Sequence, residues 1–90
     1  MSSTERIVLI TNKRGLHARA SAKFVTLASS QAALIEVTKD GQSVAGTSIM
    51  GLMMLGAAMG DSVTISASGE DAHEALTKLV ELVEAKFGED

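Results

Sequence analysis

The segment Ile7-Val8-Leu9-Ile10-Thr11-Asn12-Lys13-Arg14-Gly15-Leu16-His17-Ala18-Arg19 joins two kinds of structure. Ile7 to Ile10 is a short β-branched and apolar run and reads as a buried strand. The polar, glycine-bearing stretch Thr11 to Gly15 reads as a loop. From Ala18 to Ser30 the residues favour helix, and Ala20, Phe24, Leu27 and Ala28 fall at the spacing that lines one helical face. His17 therefore stands where a loop becomes a helix.

Working outward, Ile35 and Val37 alternate with Glu36 and Thr38 between Ala33 and Lys39. Asp40-Gly41, a pair that tolerates positive φ, then turns the chain into Gln42 to Ala45, and the three pieces read as a hairpin. Ser48 is placed to cap a short helix from Ile49 to Leu55, limited by Gly51 and Gly56, with Leu52 and Leu55 as its core residues. Past the Gly60-Asp61 turn, Val63, Ile65 and Ala67 alternate with Thr64, Ser66 and Ser68, the period of a strand with one wet face. Ala72, Ala75, Leu76, Leu79, Val80 and Val83 form the apolar stripe of a last helix, which Ser68 or Gly69 is expected to cap. The order βαββαβα predicts an α+β fold: a four-stranded antiparallel sheet with three helices on one face, in a single domain over residues 1–90.

The composition narrows the function classes. Of the 90 residues, 46% are apolar, which suits one core at this length. Phe24 and Phe87 are the only aromatics, so Ala, Val, Ile, Leu and Met must fill it. The net charge of −3, from 8 basic against 11 acidic residues, argues against a broad surface for nucleic acid or anionic membrane. With no cysteine there is neither a disulfide framework nor a thiolate metal site. Met1 to Arg6 lacks a signal-peptide pattern, and the apolar stretch Ile49 to Met59 is well short of the roughly 20 residues that span a bilayer. The expectation is a cytoplasmic chain without membrane insertion.

Chemistry concentrates in Gly15-Leu16-His17-Ala18-Arg19. The first backbone N–H groups of a helix lack internal partners and its N-terminus is positive, so a phosphate arriving there meets ready donors. The guanidinium of Arg19 can fold back toward the same anion and hydrogen-bond its oxygens in a planar fork. An imidazole nitrogen with a free lone pair can attack phosphorus and later leave again. Taken alone, a histidine at a helix start is more often a cap or a solvated residue.

The pentapeptide, the downstream Thr47-Ser48-Ile49-Met50-Gly51-Leu52 and the Gly60-Asp61 turn leading to Val63-Thr64-Ile65 together resemble the HPr family, the histidine-containing phosphocarriers of the bacterial phosphotransferase system, over nearly the whole chain. The resemblance implies an open-faced β-sandwich in which His17 accepts a phosphoryl group at Nδ1 from phosphorylated enzyme I and donates it to an enzyme IIA domain. It implies that Arg19 is the active-site arginine and that Ser48 matches the serine some bacteria phosphorylate through an HPr kinase. Ile49, Met50 and Met53 match an exposed apolar docking patch, although methionines of a short helix serve equally well as core fillers. The protein so implied is a monomeric carrier, not an enzyme, with no cofactor or metal. Ala20 stands where many sugar-branch members have proline and several nitrogen-branch and proteobacterial relatives have alanine, so the resemblance leaves the branch open.

Other candidates are weaker. His73 has no second ligand at metal spacing. Gly46 to Gly51 has the glycine spacing of a P-loop, but Leu52 stands where the lysine is needed. Asp61-Ser62 resembles a carrier attachment site, yet Ser62 opens a strand. The alternative reading is a ferredoxin-like α+β binding module. It lacks tyrosine, tryptophan and basic surface, and both phenylalanines fall in helical segments.

Overall fold

The computed structural model describes residues 3–89. Strand β1 (Ser3–Leu9) pairs antiparallel with β4 (Ser62–Ser68), which pairs antiparallel with β2 (Leu34–Lys39), and β3 (Gln42–Ala45) closes the other edge, giving the order β1-β4-β2-β3. Helices α1 (Ala18–Ser29), α2 (Ile49–Met54) and α3 (Ala72–Glu84) complete the expected order, and a single 3-10 turn, Lys86–Gly88, follows them. The antiparallel open sheet with three helices is the fold class expected. Among the described residues no helix is long and apolar enough to cross a membrane.

The sheet buries one face. Val8, Ile35, Val37, Val63, Ile65 and Ala67 point into the core with Ala20, Phe24 and Ala28 of α1, Leu52 of α2, and the whole expected stripe of α3. The opposite face is wet, which corrects the expectation that Ile7 to Ile10 is buried throughout: Ile7 is 72% exposed and Leu9 also faces solvent, while Val8 and Ile10 are covered. A strand covered on one side obeys the period of two whatever its composition. β1 also begins earlier than the apolar run suggests, because Ser3 to Arg6 find ladder partners in Ser68 to Ile65.

Both turn residues of the hairpin, Asp40 and Gly41, have left-handed φ of 51° and 80°, the twist that suits a two-residue connection between strands. The start of α3 differs from expectation. Ser68 is held in the sheet between Ser3 and Leu34, so the helix is entered through Asp71, a left-handed residue whose side chain makes no cap hydrogen bond. Phe87 falls in the 3-10 turn after α3, but with left-handed and not helical backbone. Lys86 and Phe87, at φ 58° and 56°, reverse the chain beyond α3 and bury the Phe87 ring to 1% exposure.

Candidate functional site

The loop ahead of α1 is fixed by its own backbone and two buried polar residues. Gly15 has φ 63°, and a Cβ there would collide with the Ala57 carbonyl and Ala58 Cα, so glycine is required by both conformation and space. The Leu16 N–H donates to the Ala57 carbonyl at 2.9 Å, tying the loop to the segment after α2. Buried Ser21 donates its hydroxyl to the Leu16 carbonyl at 3.1 Å, and buried Asn12 donates Nδ2 to the Gly15 carbonyl at 2.8 Å.

His17 is the N-cap of α1, with extended backbone (φ −73°, ψ 179°). Its Nδ1 accepts the Arg19 backbone N–H at 3.3 Å, and its Nε2 meets Glu89 Oε2 at 2.5 Å. A backbone N–H can only donate, so Nδ1 carries the lone pair and the neutral ring carries its proton on Nε2, donating to the carboxylate. The other carboxylate oxygen, Glu89 Oε1, accepts Asn12 Nδ2 at 3.1 Å. Donation by the Asn12 amide holds the Glu89 carboxyl below the usual carboxylate range against the opposing effect of burial, and His17 and Lys23 add to the lowering. The imidazole is largely covered, with 14% of its side chain exposed.

Arg19 is exposed, and what it gives the ring here is its backbone N–H. Its side chain borders a groove along α1 with Ala22, Lys23, Thr26 and Leu82, and makes no ion pair among the described residues. Ser48 is the N-cap of α2, its Oγ accepting the Gly51 N–H at 2.9 Å. Ile49, Met50 and Met53 are all exposed, Met50 to 69%, while Leu52 and Leu55 take the core positions. Met54 and Met59 are exposed as well, α2 packs against α1, and the Leu16 N–H bonds the Ala57 carbonyl just beyond α2. His73 lies exposed on α3, and Asp61 accepts the Ala58 N–H as a turn residue.

Asn12, Ser21 and Glu89 were not legible as site residues. A buried asparagine and serine have no marking pattern in a loop and a helix, and Glu89 stands 72 residues from His17.

The structure is thus an open antiparallel sheet with three helices and a histidine at the N-terminus of the first. The chain belongs to the HPr family of phosphotransferase-system phosphocarriers: the family described as the PTS HPr component phosphorylation site matches residues 4–85. It is 44% identical to the phosphocarrier protein HPr of Cupriavidus necator over 94% of this chain and 96% of that one. It is 43% identical to the phosphocarrier protein NPr of Shewanella violacea over 99% and 98%. A solved HPr from Thermoanaerobacter tengcongensis superposes with a TM-score of 0.92 at 48% identity, covering 97% of this chain and 98% of the other. The chain is thus a carrier by family and not a catalyst.

Proposed function

We propose that His17 takes a phosphoryl group on Nδ1 from phosphorylated enzyme I in the cytoplasm and passes it to an enzyme IIA domain, the chain acting as a monomer. The observation that carries this reading is the lone pair of Nδ1 directed at the N-terminus of α1. In acceptance, Nδ1 forms a bond to phosphorus as the donor's bond to phosphorus breaks with its electron pair. In onward transfer the Nδ1–P electron pair returns to the ring. Rotation of the exposed Arg19 side chain brings its guanidinium to the phosphate oxygens, which the first free N–H groups of the helix also serve.

Ile49, Met50 and Met53 dock the successive partners, for which flexible methionines suit unlike surfaces. Ser48, beside that patch, is the site at which an HPr kinase regulates docking. Identities of 44% to an HPr and 43% to an NPr do not separate the sugar and nitrogen branches, and the IIA domain that accepts phosphate decides between them. The binding-module reading finds no support, since the open sheet face offers Ile7, Leu9 and Leu34 and no stacking aromatic. The test is incubation with enzyme I and labelled phosphoenolpyruvate. Wild type gains one acid-labile, base-stable phosphate and His17→Ala gains none; labelling of His17→Ala at His73 would refute the assignment.

A further inference from the structure

The Glu89 carboxylate sits between two donors. Asn12 Nδ2 reaches one oxygen at 3.1 Å and the His17 ring nitrogen Nε2 reaches the other at 2.5 Å. Asn12 is itself fixed, being fully buried with its second amide hydrogen on the Gly15 carbonyl. The carboxylate is delivered by the reversed turn after α3, anchored by the buried Phe87 ring and by Lys23 Nζ donating to the Phe87 carbonyl at 2.7 Å. A continuous chain of hydrogen bonds therefore runs from the Gly15 carbonyl through Asn12 and Glu89 to Nε2, across the ring, and from Nδ1 to the Arg19 N–H.

Only a carboxylate satisfies that position. Glutamine offers one acceptor and one donor, so one of its two partners, both donors, would be left facing an N–H. Holding the ring by its far nitrogen is how a third group commonly orients an imidazole whose near nitrogen does the chemistry.

We infer that Glu89 is a positioning residue for phosphoryl transfer: it keeps the proton of His17 on Nε2, leaves Nδ1 as the nucleophile, and balances the charge the ring acquires when Nδ1 bonds to phosphorus. This rests on the reading that His17 carries the phosphate. When the neutral ring attacks, Nδ1 donates its lone pair to phosphorus and Nε2 keeps its hydrogen, so the phosphorylated ring is a cation facing the carboxylate. When phosphate leaves, the Nδ1–P electron pair returns to the ring and the same neutral tautomer is regenerated. No proton has to enter or leave. Asn12 acts one step further out, holding Glu89 in the acceptor orientation.

The test compares wild type, Glu89→Gln and Glu89→Ala by two readouts. The first is proton–nitrogen NMR of the ring in unphosphorylated protein, where wild type shows a slowly exchanging Nε2–H and an unprotonated Nδ1, and Glu89→Ala, which has no acceptor, loses the protected Nε2–H. The second is transfer from phosphorylated enzyme I, where Glu89→Gln lowers the maximal rate by about tenfold or more with little change in KM. Thermal unfolding confirms that Glu89→Gln is folded, so a slow rate is not a folding failure. Transfer by Glu89→Gln within about twofold of wild type overturns the inference, whatever the ring signal does. A wild-type protein with the protected Nε2–H that takes no phosphate on His17 fails at the functional reading instead, and reduces Glu89 to a structural contact.

Discussion

Lys23 donates its ammonium to the Phe87 carbonyl at 2.7 Å, so the turn at the end of the chain is fastened to the helix that His17 begins. The ring of the same phenylalanine enters the core. Phe87→Ala removes that anchor, and large-to-small changes of buried phenylalanine cost about 3–5 kcal/mol. Denaturant unfolding is expected to show a loss in that range, and the ring N–H of His17 is expected to lose its protection because Glu89 is no longer presented. A stability loss with the ring N–H intact would mean that Glu89 docks independently of Phe87.

Acid should loosen the same contact. The Glu89 carboxyl is lowered in the folded protein, chiefly by the Asn12 amide, so its stabilising effect is complete above the unfolded carboxylate pKa of about 4.3 and is lost as pH falls through the lower folded value. The difference in unfolding free energy between wild type and Glu89→Gln is therefore constant near neutrality and shrinks as pH drops below about 4. Denaturant titrations of the two proteins across that window measure it. A difference that grows on acidification would have the wrong sign.

Arg19 is solvated, and a surface charge change there should move folding stability by no more than about 0.5 kcal/mol. Arg19→Glu is nevertheless expected to slow phosphoryl transfer through His17 by about tenfold or more, because it replaces a forked donor with a charge that repels phosphate. Unchanged kinetics in a folded variant would leave Arg19 as a solvated helix residue whose contribution to the ring is its backbone alone.

Ser48 separates capping from docking. Ser48→Ala deletes the acceptor for the Gly51 N–H and is expected to cost about 1 kcal/mol while transfer persists. Ser48→Asp keeps an acceptor there, so stability holds, but places a charge beside Ile49, Met50 and Met53 where docking requires desolvation. Its phosphorylation by enzyme I should need higher donor concentrations than wild type does. Equal concentration dependence for wild type, Ser48→Asp and serine-phosphorylated protein would leave Ser48 as an ordinary cap.

What could be read from the sequence was local. The i, i+4 stripes of α1 and α3, the left-handed Asp40-Gly41 turn and the Ser48 cap are set by neighbours a few residues away, and His17 announces itself by sitting between Gly15 and Arg19. The strand limits were less clear, since Ser3 to Arg6 are strand only because Ile65 to Ser68 lie beside them. Ile7 and Leu9 have the same chemistry as buried Val8, and only the side on which the helices pack tells them apart. Glu89 was beyond reach: its place depends on Lys86 and Phe87 adopting left-handed backbone, which no propensity favours, and on a contact that closes nearly the whole chain. The polar arm of the site is tertiary, while its nucleophile is local.

The most direct measurement is the identity of the phosphorylated atom. Protein labelled with nitrogen-15 in histidine, charged by enzyme I and phosphoenolpyruvate, should show phosphorus coupling at Nδ1 of His17, with Nε2 retaining its hydrogen toward Glu89. Phosphorus on Nε2, or on any residue other than His17, would contradict the account.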